Sequence, residues 1–384
     1  MGLKGIIITG TSGAGKSTIA EKLASEQSQY KIARALTTRE KRDDDRHYIY
    51  IDDQNFEKSR PLFFTCAEYR GKKYAITKPE ISGIYNQNKY AILVISPKSL
   101  NDIPEEEKPF FLSFFIDAPD DELDKRIKNR DKIEISEGII DQRKKDREYS
   151  DIPNYIIRNS SIEKAALLIK RLVLFIGQGS FLSKEDIELM MDNGMLIDGG
   201  TKENIQGASY DLRLGDQYYY GGKIKTIGKN NLILTIEPYD YAIVSSKEEI
   251  CLPKDVVAHF GLTVGLFCQG IILSNGLQVD PGFRGTLFCL LFNTSNRPVS
   301  LKRNEHYATI EFTKMSCFAE KYKGHYQYKR DIIDVIPVNA MRGAINELKK
   351  EVEELKQESK NLQNIYISVI AIIVAAISIL LILK

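Results

Sequence analysis

The chain has 384 residues, enough for two or three domains, of which 43% are hydrophobic and 28% charged, a balance typical of globular domains. Its 54 basic and 52 acidic residues leave a net charge of +2, which does not favour nucleic acid as a partner. The five cysteines are too widely spaced for a paired metal motif, and we interpret them as reduced core residues of a cytosolic protein.

The amino-terminal residues predict a phosphate-binding loop. Residues 5–9 are typical of a buried strand, and residues 19–24 have helical spacing. Between them lies a complete Walker A pattern, whose backbone N–H groups are expected to bind phosphate at the start of a helix. Lys16 would reach the β- and γ-phosphates, and Ser17 would ligate Mg²⁺. The expected ATP-binding residues of this loop are Gly10, Ser12, Gly13, Ala14, Gly15, Lys16, Ser17 and Thr18.

A pair of arginines predicts a second phosphate site. Arg39 and Arg42 are three residues apart, and Tyr48 follows them. Guanidinium groups bind phosphate in a bidentate geometry. Such a pair alone is usually a solvated charged surface, but after a Walker A loop it is a candidate site for the phosphate of an acceptor substrate.

The rest of this region predicts an alternating α/β domain, which we place at residues 1–176. The apolar runs 90–95 and 110–116 are typical of buried parallel strands, whereas 122–129 and 161–175 have helical patterns.

These motifs resemble the guanylate kinase family over roughly residues 3 to 175. The family's glycine loop, its Thr-Thr-Arg-x-x-Arg segment and its Glu-x-x-Gly-x-x-Tyr segment match 10–18, 37–42 and 68–74. The resemblance implies an ATP-dependent, Mg²⁺-using kinase of a nucleoside or deoxynucleoside monophosphate. The residues that it assigns to the acceptor are Arg39, Arg42, Tyr48, Glu68, which would face the base, and Tyr74. The catalytic residues that it implies are Lys16, Arg39 and the lid arginines Arg130, Arg143 and Arg147, and Asn159 would contact the adenine of ATP.

Two positions depart from the family pattern. Ala35 replaces a serine, and Ser96 replaces an acidic residue, at positions where the family reads guanine. The phosphate machinery therefore resembles the family while base selection is altered. The related ribose bisphosphokinases share this architecture and remain an alternative for the acceptor.

The segment 177–337 predicts an all-β barrel. A helix is expected at 182–193, followed by short strands at 241–245, 271–273, 286–292 and 307–312 between turn residues.

Four ordered motifs in this segment resemble the dCTP deaminase branch of the trimeric dUTPase superfamily. They lie at 182–187, 206–215, 277–285 and 322–327. The resemblance implies a homotrimer and a nucleotide pocket, with a pyrimidine nucleotide as a ligand. The pocket residues that it implies are Asp211, Asp280, Tyr322 and Tyr326.

The residues that perform the family's chemistry are replaced. Leu290 occupies the position of the glutamate general acid/base, and a leucine cannot transfer protons. The family's phosphate-binding arginines align with 262–267, which contains none, and Thr309 replaces a glutamine. Asp280 remains where the dUTPases activate water. We expect an inactive domain that binds a nucleotide or serves only to assemble the protein.

The carboxyl-terminal residues predict two further segments. Apolar residues in heptad positions between 341 and 362 indicate a coiled coil at 338–363, although an amphipathic helix lying on the barrel is an alternative. Residues 365–383 contain no charge. We expect a single transmembrane helix at 364–384, with the preceding domains on the cytoplasmic face of the membrane. The fold class is then multidomain: an α/β P-loop kinase domain, an all-β dUTPase-like barrel, a coiled-coil helix and a transmembrane helix.

Three functions follow from this organisation. The first is a membrane-tethered, ATP-dependent nucleotide kinase with a degenerate deaminase-like domain. The second is a nucleotide sensor or effector at the membrane with little turnover, an arrangement that would suit defence against phages. The third is a scaffold in which the barrel only trimerises the chain.

Overall fold

The computed structural model describes residues 3–41, 46–69, 71–131, 135–228, 233–336 and 344–382. The first domain alternates strands and helices. Its strands are β1 (Gly5–Gly10), β2 (Tyr30–Ile32), β3 (Ala35–Thr37), β4 (Tyr48–Tyr50), β5 (Phe63–Tyr69), β6 (Lys72–Thr77), β7 (Tyr90–Val94), β8 (Phe111–Asp117) and β9 (Tyr155–Arg158). Its helices are α1 (Lys16–Glu26), α2 (Asp53–Lys58), α3 (Lys78–Tyr85), α4 (Asp120–Asp131), α5 (Glu137–Glu148) and α6 (Ile162–Leu174).

Two sheets position the loops of this domain. A parallel sheet has the order β2-β7-β1-β8-β9, and a smaller sheet has the order β4-β3-β6-β5. Every residue of β1 is buried, as expected for a parallel strand covered on both faces. Gly10 pairs with Ile116, so the carboxyl ends of β1 and β8 lie side by side. The glycine loop therefore starts at the edge of the sheet where such folds bind ligands.

The second domain is an antiparallel β structure. Its strands are β10 (Ser180–Phe181), β11 (Leu196–Asp198), β12 (Ser209–Tyr220), β13 (Lys223–Thr226), β14 (Ile233–Ile236), β15 (Tyr241–Cys251), β16 (Val256–Leu262), β17 (Ile271–Ser274), β18 (Arg284–Asn293), β19 (Val299–Lys302) and β20 (His306–Lys314). Its helices are α7 (Lys184–Asp192) and the short α8 (Val264–Cys268). The longest path of paired strands is β10-β20-β12-β15-β18-β17, with β11, β13 and β16 attached to it, and β14 pairs with β19.

A buried polar cluster joins the two domains. The Tyr155 hydroxyl of β9 donates a hydrogen bond to Asp255 of the second domain, and Lys314 Nζ lies 3.2 Å from the same carboxylate. Lys314 Nζ also donates to the Tyr155 oxygen at 3.1 Å. Burial, followed by the charge of Asp255, raises the pKa of Tyr155 well above its usual value. The Tyr155 ring stacks on Phe114 and contacts Phe318 edge-on, so polar and apolar contacts together fix this junction.

The cysteines only partly follow the prediction of a core location. Cys289 is buried, whereas Cys268 and Cys317 are exposed, and each cysteine is a free thiol. Burial raises the pKa of Cys289 to about 12. Cys268 is the last residue of α8, and Cys317 follows the end of β20.

The carboxyl-terminal segment is one helix, α9 (Ala344–Ile382), in place of the two helices that the sequence predicts. Its side chains from Glu351 to Ala375 are all exposed, so the described part of α9 does not lie on the barrel. The start of the predicted coiled coil, including Met341, falls outside the described residues.

The prediction of a transmembrane anchor is wrong. In the described ranges, no helix is long and apolar enough to cross a membrane. The prediction rested on the uncharged residues 365–383, whereas these residues continue, as far as Ile382, a helix whose first part is rich in Glu and Lys. The placement of the chain at the cytoplasmic face of a membrane is therefore withdrawn.

Candidate functional site

The loop between β1 and α1 has the geometry of a phosphate cradle. Gly10 has φ +134°, and a Cβ there would lie 1.9 Å from the carbonyl oxygen of Ile116, so only glycine fits. Gly15 has φ 90° immediately before α1, which favours glycine for the same conformational reason. Lys16 Nζ folds back onto the loop and donates to the carbonyl oxygens of Gly10 at 2.8 Å and Thr11 at 2.7 Å. The ammonium group is therefore held inside the loop.

Asn159 stabilises this loop from its buried side. Its side chain is fully buried, and its amide donates to the Ala14 carbonyl oxygen at 2.7 Å. The interpretation of Asn159 as an adenine contact is not supported by this geometry, because the side chain points into the loop. The neighbouring Ser160 and Ser161, at the start of α6, line the cavity instead.

The first of two adjoining cavities, which we call the donor cavity, has a volume of about 880 Å³. Its lining includes the loop residues Ser12, Gly13, Gly15, Lys16, Ser17 and Thr18. Arg126 of α4 also lines it, and sequence reasoning missed this residue. The Arg126 guanidinium donates to Glu122 at 2.8 Å and to the Asn159 carbonyl oxygen at 3.0 Å, which fixes it beside the loop. The helical pattern of α4 could have indicated which side chains face the loop, but not that one of them reaches it.

The second cavity, the acceptor cavity, has a volume of about 660 Å³. Arg39, Tyr48 and Tyr74 line it together, as predicted from the sequence. The Arg39 guanidinium lies over the Tyr48 ring, 4.6 Å from its centroid, and the Tyr48 and Tyr74 rings meet edge-on at 6.2 Å. Sheet β4-β3-β6-β5 creates this cluster because it places β4 and β6 on either side of β3. Arg42 falls outside the described residues.

Glu68 does not lie where the sequence places it. It pairs with Lys73 near the end of the β5–β6 hairpin, has an exposed side chain, and is absent from the lining of the acceptor cavity. Thr65, three residues earlier on β5, lines that cavity. The β5–β6 register shifts between Phe63 and Thr65, and sequence spacing cannot reveal this irregularity.

The lid arginines that are described form ion pairs within the domain. Arg143 is 2% exposed and lies 2.6 Å from Asp124 of α4, so it joins α5 to α4. Two of its nitrogens, Nε and Nη2, are buried without a hydrogen-bond partner among the described residues. Arg147 binds both Asp117 and Asp120 at 2.9 Å. These carboxylates, Asp120 first, raise the pKa of Arg147. The side chain of Arg130 is not among those described.

The residues present fit a magnesium ion. The Ser17 side chain belongs to the lining of both cavities. Asp117, at the end of β8, accepts a hydrogen bond from Thr11 at 2.8 Å, but Arg147 binds its carboxylate and it is absent from the lining of both cavities, so Ser17 is the residue that fits the ion. Mg²⁺ in phosphotransferases takes most of its ligands from phosphates and water, so one or two protein oxygens are enough.

The second-domain residues do not all come together. Asp280 accepts a hydrogen bond from Gln278 at 2.8 Å, and the Tyr322 amide donates to the Pro281 carbonyl oxygen at 3.0 Å, so the backbone of Tyr322 lies against the turn that carries Asp280. Asp211 lies on β12 and is bound by Thr309 and Gln206, each at 2.9 Å. Tyr326 is 49% exposed. Among the described residues, no hydrogen bond links Asp211 or Tyr326 to Asp280, so one chain does not show the predicted set as a single pocket.

Strand β18 carries the position of the missing glutamate. Its residues alternate between buried and half-buried, and Leu290 is in the half-buried set. Arg284 is the charged member of that set, and it pairs with Glu249 at 2.9 Å. The strand therefore presents no carboxylate. The segment aligned with the family's phosphate arginines forms α8, where Val264 and Phe267 are 74% and 69% exposed.

Comparison with known proteins finds two family models that match consecutive parts of the chain. Residues 2–174 match the family model described as guanylate kinase. Residues 181–315 match the model described as dCTP deaminase-like. The chain therefore has a first region similar to guanylate kinase and a second region similar to dCTP deaminase.

The relatives of the second domain are similar enough in sequence to show its family. Over 134 residues the chain is 40% identical to the dCTP deaminase of Thermococcus kodakarensis, a match covering 35% of this chain and 85% of the relative. Over 134 residues it is 36% identical to the dCTP deaminase of Pyrococcus furiosus, with the same coverage of 35% and 85%. Through this domain the chain belongs to the dCTP deaminase-like family. A crystal structure of guanylate kinase from Anaplasma phagocytophilum matches 45% of this chain and 86% of its own, with 18% identity and a TM-score of 0.37.

Proposed function

We propose that the chain is an ATP- and Mg²⁺-dependent kinase of a nucleoside or deoxynucleoside monophosphate. The observation that carries the proposal is that the donor and acceptor cavities share Lys16, Ser17, Arg39 and Tyr48 in their linings. A phosphoryl group held at Lys16 is therefore accessible from both sides. This is the arrangement that direct transfer between two bound nucleotides requires.

The roles proposed for the residues follow their positions. Backbone N–H groups of the loop bind the ATP phosphates, and Lys16 leaves its carbonyl partners to contact the β- and γ-phosphates. Mg²⁺, held by Ser17 and the phosphates, would neutralise part of their charge. Arg39, Arg42, Tyr48 and Tyr74 hold the acceptor phosphate. The lid arginines Arg130, Arg143 and Arg147 would stabilise the charge on the transferring group, which requires Arg143 and Arg147 to exchange their ion pairs with Asp124, Asp117 and Asp120 for phosphate.

The barrel is proposed to have lost deaminase chemistry. Proton transfer in hydrolytic deamination needs a general acid/base, and neither Leu290 nor its half-buried neighbours on β18 can serve. Its relatives from Thermococcus kodakarensis and Pyrococcus furiosus are dCTP deaminases by name, so a pyrimidine nucleotide is the ligand to test first. The residues proposed for its pocket remain Asp211, Asp280, Tyr322 and Tyr326, completed by other copies of the chain.

Self-association is proposed because large apolar side chains are exposed in two places. Val264, Phe267 and Leu277 extend from the barrel, with Leu277 87% exposed, and Val352, Leu355 and Leu362 are exposed along α9. Apolar patches of this kind usually mark contacts between chains. A homotrimer with parallel α9 helices, forming a coiled coil, would bury both sets. Light scattering with size-exclusion chromatography tests this proposal, and a monomeric mass would contradict it.

A nucleotide sensor is the second candidate function. The buried cluster of Tyr155, Asp255 and Lys314 favours it, because these contacts link the two domains and could transmit the binding of a nucleotide from one domain to the other. The deciding experiment measures ADP formation with ATP, Mg²⁺ and a panel of monophosphates, for the wild type and Lys16→Ala. Turnover that Lys16→Ala abolishes supports the kinase. Nucleotide binding without turnover supports the sensor.

A further inference from the structure

The lining of the acceptor cavity combines charged and neutral residues. Its cations are Lys16, Arg39, Lys41 and Lys72, and its acidic residues are Glu40, next to Arg39, and Asp146 of the lid helix α5. Small apolar and hydroxyl side chains from β5 and from the turn after β7 also line it. We call the part of the lining formed by Thr65, Ile95, Ser96, Pro97 and Ser99 the neutral wall.

Three hydroxyl groups form the polar part of the neutral wall, and most of their protons are already used. Thr65 is 3% exposed and donates to the Ser99 carbonyl oxygen at 2.8 Å. The Ser96 and Ser99 hydroxyls lie 2.7 Å apart, so one of them donates to the other. One hydroxyl proton is left to donate, and the hydroxyl oxygens keep lone pairs that can accept. The wall can thus pair with a base edge that carries few N–H groups.

The hydrogen-bonding pattern of each acceptor can be compared with this wall. Guanine presents an N–H and an amino group side by side, for which a carboxylate is the natural acceptor. An N–H buried without a full partner costs roughly a factor of ten to one hundred in affinity. Uracil and thymine present one N–H between carbonyl oxygens, which matches one available hydroxyl proton and neighbouring lone pairs.

We propose that the acceptor is a nucleoside monophosphate with a uracil or thymine base, selected by Thr65, Ser96 and Ser99. Arg39, Tyr48 and Tyr74 hold its phosphate. The base lies between Ile76 and the neutral wall. This inference rests on the proposed kinase function for turnover but not for binding. The base preference can therefore be measured on its own.

The test compares binding and turnover on the full chain. Calorimetric titration with dUMP, dTMP, dCMP, AMP and GMP reports the preference whether or not the protein transfers phosphate. We expect dUMP or dTMP to bind about tenfold more tightly than GMP, since one mispaired donor costs at least that factor. Preference for GMP, AMP or dCMP, or no difference between the bases, would overturn the inference. Absence of turnover despite this preference would contradict only the kinase proposal.

A carboxylate introduced into the wall gives a directional test. In Ser96→Asp, combined with Thr65→Glu if the single change is too weak, the affinity ratio of GMP to dTMP should rise by about tenfold or more. Glu105→Gln is the matched control, because Glu105 pairs with Lys108 at an exposed position, lies outside the lining of the cavity and should leave the ratio unchanged. Circular dichroism and melting curves verify that each variant folds. A shift produced by Glu105→Gln, or none in a folded Ser96→Asp Thr65→Glu double variant, would contradict the assignment.

Discussion

The two domains differ in the arginines that face a cavity. In the first domain, Arg39 lines the acceptor cavity and lies over an aromatic ring, whereas Arg143 and Arg147 are held in ion pairs. In the barrel, Arg213 lies 2.6 Å from the fully buried Glu248, and Arg303 lies 2.6 Å from Asp216. A phosphate arriving at either of these two barrel arginines would have to displace a carboxylate. The comparison teaches that the presence of arginines does not by itself indicate a phosphate site, because their ion pairs show where the charge is directed.

The largest effect should come from the loop lysine. Lys16→Ala should reduce phosphoryl transfer by roughly 10² to 10³ or more, since it removes a charge aimed at the reacting phosphates. ADP release measures it. Lys22→Ala is the control, because Lys22 lies on the same helix but pairs with Glu26 at 3.0 Å. Equal activity of Lys16→Ala and the wild type would remove the distinction between the two domains.

The junction between the domains should show the next largest effect. Lys314→Met should lower the free energy of unfolding by about 3–5 kcal/mol, because Asp255 would remain buried and unpaired. Denaturant titration measures the change. Lys323→Met is matched to it, since that lysine pairs with Glu320 at an exposed position, and it should change stability by no more than about 0.5 kcal/mol. A loss as small in Lys314→Met would mean that the domains are joined by apolar contacts alone.

The acceptor phosphate contact should produce a smaller change in turnover. Arg39→Ala should lower kcat/KM for the acceptor by roughly tenfold to one hundredfold, the loss expected for one charge-assisted contact. Steady-state kinetics should show KM rising and kcat falling together, because the contacted phosphate is also the reacting group. Arg60→Ala, which breaks an exposed pair with Glu57, should leave both constants unchanged. A change in the KM for ATP alone would assign Arg39 to the donor cavity.

The smallest effect concerns a thiol in the acceptor cavity. Burial, with the nearby Asp102, raises the pKa of Cys66, so alkylation near pH 8 should be slow and should speed up as the pH rises. A bound acceptor should slow it further by a few fold. Mass spectrometry of iodoacetamide-treated protein measures both rates. The exposed Cys268 serves as the internal control, and equal protection of both thiols would show that the ligand does not occupy this cavity.

The sequence predicted the sites that depend on local motifs better than those that depend on distant contacts. The loop at Gly10 to Thr18 follows from its motif, and the cluster of Arg39, Tyr48 and Tyr74 follows from the family resemblance. Glu68 pairs with Lys73 near the end of the β5–β6 hairpin, and a motif does not show which residues of a hairpin reach a cavity. The amide of Asn159 binds the Ala14 carbonyl, a contact 145 residues apart in sequence.

The most direct test of the whole account is one incubation of the full chain, with ATP, Mg²⁺ and dTMP in one sample and dCTP in another. ADP and ammonia are measured in both. The account predicts ADP from the first sample and no ammonia at an enzymatic rate from the second, because the phosphate machinery is present and Leu290 cannot transfer protons. Ammonia released from dCTP without ADP formed from dTMP would contradict it.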